Sequence, residues 1–209
     1  MAAATSKKKA PERRRDRPSP RQRLLDAATK LFTEEGIRVI GIDRILREAD
    51  VAKASLYSLL GSKDNLVVAY LEELDEQYRS RWGERAAKAP DADSKILALF
   101  DMAIEEEPQK EFRGSPFLNA AAEYPRPETE SEERIVETCR NHRLWMHSTI
   151  TELLNEKNGY DSSSLTDELL IFLEGGLAGA RILRDSAPLH TAKALAKSKL
   201  GAPPPDYSI

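Results

Sequence analysis

The stretch Ile42-Asp43-Arg44-Ile45-Leu46-Arg47-Glu48-Ala49-Asp50-Val51-Ala52-Lys53-Ala54-Ser55-Leu56-Tyr57 decides the fold. Ile42, Ile45, Leu46 and Ala49 recur three and four residues apart, the buried stripe of a short amphipathic helix. Asp50-Val51 leaves room only for a tight connection before a second short helix, which runs through Leu56 and Leu60 to a stop at Gly61. Two short helices joined so closely must cross steeply. That is helix-turn-helix spacing, in which the first helix braces the second in the major groove of a duplex.

Working outward, Leu24, Leu25, Ala28, Leu31 and Phe32 form a preceding helical stripe from Arg21, with Gly36 as its stop. Ser62 is a good N-cap for a fourth helix carrying Leu66, Tyr70, Leu74 and Tyr78 and extending to Trp82 or beyond. Proline and glycine signals then predict helices from about Asp93 to Glu107, from Ser115-Pro116 to Tyr124, from Glu130 to Lys157, from Ser164 to Asp185, and a last segment from Pro188. No stretch alternates as a strand would.

The N-terminal 20 residues carry seven Lys and Arg among three prolines and almost nothing apolar, the composition of a disordered basic arm; residues 201–209 read as a flexible tail. The net charge of −3 conceals an asymmetry, with residues 1–65 at +6 and the remainder at −9. A basic N-terminal part suits a polyanion, because Lys and Arg supply most non-specific affinity for nucleic acid; a solubilising tail would give the same asymmetry. The single cysteine, Cys139, allows no disulfide framework within the chain, and Met1 to Ala10 lack the apolar core of a signal peptide, so a cytoplasmic location is expected. Asp167, Glu168, Glu174 and Arg181 interrupt the most apolar run, which excludes a membrane span there.

Gly36, Ile45, Ala49, Val51, Lys53, Leu56, Tyr57, Ser62, Lys63 and Leu66 stand where the TetR family signature places the same or similar residues, and over Leu24 to Leu66 the chain resembles that family. Phe112 to Tyr124, FRGSPFLNAAAEY, is similar to a segment of an actinobacterial-type branch of TetR/AcrR regulators. The resemblance implies an all-α protein. Its N-terminal three-helix DNA-binding domain would occupy residues 21–66, and a helical ligand-binding and dimerisation domain residues 67–200. It further implies a homodimeric repressor of a palindromic double-stranded operator, released by a small molecule, with helix 4 carrying the signal because it belongs to both halves.

On this reading the DNA-contacting residues are Arg44, Lys53, Ala54, Ser55, Tyr57, Ser58 and Lys63. Lys53 sits at a helix N-terminus, where the dipole disfavours a cation unless an anion meets it, although a solvated lysine would look the same. Ala54, Ser55 and Ser58 are small enough for the helix to approach base edges. Tyr57 and Lys63 resemble the family's phosphate contacts, and Leu56 and Leu60 belong to the core. Several positions depart from the family pattern. Gly41 offers no hydroxyl at the start of helix 2, Asp50 replaces a turn glycine, Ala52 cannot cap, Leu60 replaces an aromatic, and Leu59 replaces a polar or aromatic group.

The ligand candidates are Phe112, Phe117, Asn119, Tyr124, His142, Trp145 and Met146, an apolar and aromatic set suited to an apolar or aromatic small molecule; core packing is the equal alternative for each. Cys139 and His142 share a helix face, but no second ligand pair accompanies them, so neither metal nor cofactor is expected. Gly175, Gly176 and Gly179 within one helix call for close helix approach or a kink, and the resemblance places this helix and the last in a four-helix dimer interface. No nucleophile, base and orienting group gather in a motif, so no enzyme is expected. A ligand-binding adaptor of the same fold, without specific DNA recognition, remains the alternative, supported by Gly41, Ala52 and Leu59.

Overall fold

The computed structural model describes residues 17–201, and these are all-helical, with no strand among them. Most of the basic arm and all but the first residue of the tail lie outside the described residues. Helix α1 (Pro20–Glu35) begins one residue earlier than the periodicity predicts. Ser19 caps it by accepting from the Gln22 amide, and Pro20 fits the first turn, where an N–H is not needed. Helices α2 (Ile42–Ala49) and α3 (Lys53–Leu60) follow as read, and α4 (Lys63–Ala86) is capped by the Ser62 hydroxyl at the Asn65 amide.

Beyond α4 come α5 (Ala92–Glu106), a single 3₁₀ turn at Pro108–Lys110, α6 (Pro116–Glu123), α7 (Glu130–Asn158), α8 (Ser163–Leu183) and α9 (Ala187–Leu200). Asp91, Ser115 and Thr129 cap three of these helices through their side chains, and Gly159 closes α7 in the left-handed region.

Two apolar cores organise the chain. The first joins α1, α2 and Leu56 of α3 to Leu66–Leu71 of α4, and is completed by Phe117, Ala120 and Tyr124 and by Ile135 and Cys139 of α7. The second packs α5, α7, α8 and α9 together with Tyr78 and Trp82 of α4. Helix α4 thus contributes its first half to one core and its second half to the other.

Close approach, not a kink, accounts for two of the α8 glycines. A Cβ on Gly176 would lie 2.9 Å from that of Ala192, and one on Gly179 would lie 2.9 Å from that of Pro188, so α9 packs directly on the α8 backbone. Gly175 faces open space on the opposite side, near exposed Ile171 and Ile182.

Candidate nucleic-acid interface and ligand cavity

The turn between α2 and α3 rests on Asp50, which adopts the left-handed conformation at φ 49° without being glycine. Arg23 of α1 secures it, donating to the carbonyls of Ala49 (2.8 Å) and Asp50 (2.6 Å), the open end of α2. The Asp50 carboxylate pairs with Arg17, which holds it below the usual carboxylate range.

With Leu56 buried beneath it, α3 presents Lys53, Ala54, Tyr57, Ser58 and Leu59 to solvent and leaves Ser55 half-buried. Tyr57 is 49 % exposed. Lys53 stands 3.6 Å from Asp43, with both side chains largely exposed. Neither Gly41 nor Ala52 makes a side-chain cap, so the amides opening α2 and α3 keep no side-chain partner.

Two of the seven residues expected at DNA are engaged within the chain instead. Arg44 forks onto the Glu35 carboxylate at the end of α1, and the Lys63 ammonium donates to the Ile37 carbonyl at 2.7 Å. Partial burial lowers the Lys63 pKa, and its proximity to the open carbonyl of the α1–α2 turn explains the inward turn. Four candidates, Lys53, Ala54, Tyr57 and Ser58, are therefore exposed on α3 with Ser55 half-buried among them, and two brace the elements behind.

The same turn carries a contact that the sequence reading passed over. Glu123, the last residue of α6, places its carboxylate against the consecutive amides of Ile37 (3.0 Å to each oxygen) and Arg38 (2.7 Å). Gly36, at φ +99°, opens this anion-binding nest, and a Cβ there would come within 3.2 Å of the carboxylate. Arg38 also pairs with Glu132 at 2.9 Å and covers the Tyr124 ring, and Ser131 donates to Asp64. The latch was legible only as an unassigned Glu in the FRGSPFLNAAAEY segment.

A cavity of about 310 Å³ opens beside α6, between α4, α7 and α8. Leu74, Tyr78, Phe117, Ala121, Val136, Met146, Leu173 and Leu177 supply its apolar walls. His142, 5 % exposed, stacks on Phe117 with ring centroids 3.7 Å apart and places Nδ1 2.7 Å from an Asp75 oxygen. Burial works against ionisation of Asp75, but the hydrogen bonds from His142 and Arg79 outweigh it and hold the carboxyl below its ordinary range. Burial pushes the Cys139 thiol up to about 11, which keeps it protonated and a poor metal ligand or nucleophile.

Three ligand candidates, Phe117, His142 and Met146, line this cavity; four do not. At about 100° per residue on α7, Trp145 falls off the stripe of Cys139, His142 and Met146, and it packs edge-on against Tyr78 and Trp82. Tyr124 would continue the Phe117 face, but it leaves the helix at φ −120° and enters the first core. Asn119 turns to the Arg113 carbonyl and to Arg181, bordering a smaller hollow against α1. Phe112, held at φ 57° in the loop before α6, points elsewhere.

The cavity's charged groups are largely matched. Glu106 meets Arg81 (3.1 Å) and Lys110 (2.7 Å), and Glu174 meets Arg143 (2.8 Å). Glu107 is different. It is 2 % exposed, burial raises its pKa, and its Oε2 accepts the Gly114 amide at 2.8 Å. In the sequence it stands only as a helix end before Pro108.

No helix among the described residues is long and apolar enough to cross a membrane. The family profile described as bacterial regulatory proteins of the tetR family matches residues 24–70. The chain is 25 % identical over 173 residues to the HTH-type transcriptional regulator LmrA of Bacillus subtilis, covering 81 % of this chain and 90 % of that protein. A solved TetR-family transcriptional regulator from Streptomyces coelicolor is 34 % identical and superposes with a TM-score of 0.77, covering 88 % of this chain and 90 % of the other. The reduced form of NemR from E. coli shares the fold at 22 % identity, with a TM-score of 0.74 and coverage of 86 % and 96 %. With the helix-turn-helix matched and one-third identity sustained over nearly the whole of a solved relative, the chain belongs to the TetR family of DNA-binding transcriptional regulators.

Proposed function

We propose that this regulator is a cytoplasmic repressor that binds a palindromic operator as a homodimer and leaves it when a small molecule enters the cavity beside α6. The observation that carries this reading is the double duty of α6. Its first turns wall the cavity through Phe117 and Ala121, and its last residue grips the Ile37 and Arg38 amides that lead into the helix-turn-helix. Eight helical residues span about 12 Å, so a ligand that displaces one end acts almost directly on the other.

In this division of labour residues 21–66 read DNA and residues 67–200 sense and dimerise. Lys53, Ala54, Ser55, Tyr57 and Ser58 meet the duplex; Arg44 and Lys63 reach phosphate only by giving up Glu35 and Ile37, and otherwise hold the reading helix in place. The dimer reading draws support from α8 and α9, where Ile182 is 80 % exposed, Ile171, Leu183 and Leu195 are exposed as well, and Gly175 faces open space. Two reading helices in such a pair engage half-sites about 34–36 Å apart.

The adaptor alternative rests on Leu59, 45 % exposed on the reading face, and on the two engaged cations. Binding to the DNA flanking the protein's own gene, measured across salt, separates the two. The repressor gives steeply salt-dependent, palindrome-specific affinity that Lys53→Ala weakens. Weak, sequence-blind binding that vanishes when residues 1–20 are deleted establishes the adaptor.

A further inference from the structure

We propose that Glu107 is the charge-reading group of the cavity and that the ligand it selects carries a basic nitrogen on an apolar frame. This rests on the reading of the cavity as a ligand site. Glu107 is the one acid of the lining with no cation within 4 Å, since Glu106 is held by Arg81 and Lys110 and Glu174 by Arg143, and Lys110 and Arg181 act on Glu107 only from further off. It is also almost wholly shut off from bulk water. Its Oε2 takes the Gly114 amide, and no described group donates to Oε1. Oε1 is not among the sealed polar atoms without a partner, so it keeps a little accessible surface, and whatever fills the cavity is what answers it.

Other features of the lining point the same way. Asp75 takes the Nδ1 side of His142, and Nε2 has no described partner. Glu107 Oε1 is thus the cavity's unmatched carboxyl oxygen, and a donor such as an ammonium answers it. Tyr78 and Phe117 add aromatic rings of the kind that attract cations. The lining cations do not reverse this balance. Arg81, Lys110 and Arg143 are already paired, and Arg140 and Arg181 are exposed to solvent, where their fields are screened. An anionic ligand would bring its charge against Glu107, and a neutral one would leave the carboxylate unanswered.

The test uses three probes on one frame, 4-phenylbenzylamine, 4-phenylbenzyl alcohol and 4-phenylphenylacetate, titrated calorimetrically into the full chain and into Glu107→Gln. Glutamine retains an oxygen for the Gly114 amide, so the loop keeps its anchor. The expected result is amine binding about tenfold tighter than alcohol and no measurable acid binding, with the amine-to-alcohol ratio falling to about one in the variant while alcohol affinity holds. The wild-type comparison stands even if the variant fails to fold. Acid binding as tight as amine, an unchanged ratio in Glu107→Gln, or no binding of any probe overturns the proposal. Operator release, followed by fluorescence anisotropy in parallel, reports separately on the repressor reading: an amine that binds without releasing DNA counts against release and leaves the role of Glu107 intact.

Discussion

Replacing Glu123 by alanine removes the carboxylate that joins α6 to the amides of Ile37 and Arg38 and changes no apolar contact of the first core. Hydrogen bonds to a charged group contribute about 1.5–3 kcal/mol each when well formed, but Glu123 is only half-buried and water can replace part of what is lost. Taking the two amides together at about 2 kcal/mol, local opening of the turn becomes about 30-fold more frequent. Amide hydrogen exchange read by NMR should therefore accelerate by about that factor at Ile37 and Arg38, with much smaller changes at Leu169 and Leu170 in the second core. The melting temperature should fall by no more than about 8 °C, the value expected if the whole loss were global. Glu123→Gln, which keeps one neutral acceptor, should fall between the two. Unchanged exchange at Ile37 and Arg38 would refute the latch, and with it the short route from cavity to reading head.

Four further outcomes follow from the same structure. Lys53→Ala should reduce the salt slope of operator binding by about one and weaken all sequences alike, whereas Tyr57→Phe should cost about 1 kcal/mol through a lost phosphate contact, both measurable by anisotropy titration. Gly179→Val drives a branched side chain into Pro188 and should destabilise the α8–α9 pair by about 1–3 kcal/mol in chemical denaturation, while Gly175→Ala, with nothing near its Cβ, should leave folding unharmed. The depressed Asp75 carboxyl gives stability that is complete above the unfolded aspartate value of about 3.9 and is lost as pH falls through the lower folded value; Asp75→Asn should flatten that acid limb of the stability curve. Cys139, buried and with its thiol pushed up to about 11, should resist thiol-disulfide reagents at pH 8 in the native protein and react promptly once unfolded.

Helix starts and stops were readable because each rests on local chemistry. Ser62, Ser115-Pro116 and Gly159 satisfy or release backbone groups within a turn of themselves, and they mark the ends of α4, α6 and α7 where expected. The exposed face of α3 was legible for the same reason, since Leu56 and, partly, Leu60 are the side chains this eight-residue helix turns to the core. Side chains whose role depends on a distant partner were not. Glu123 meets an amide 86 positions away and Asp75 a histidine 67 away, and neither spacing leaves a periodic trace. The ligand set shows both cases. Periodicity on α7 placed His142 and Met146 together, but it could not foresee that the chain leaves helical geometry at Tyr124, nor that Trp145 would close a cluster with Tyr78 and Trp82.

Helix α4 has a leverage that its packing alone does not convey. Tyr78, at the cavity, and Leu66, among the side chains supporting α3, are separated by about 18 Å of rigid helix. A tilt of only about 5° about Tyr78 would carry Leu66 sideways by about 1.6 Å, and two protomers swinging in opposite senses would change the spacing of their reading helices by about 3 Å, close to one base-pair step of 3.4 Å. On the proposed reading, a molecule small enough to fit beside α6 would need to do little more than nudge a ring to put the pair out of phase with the duplex.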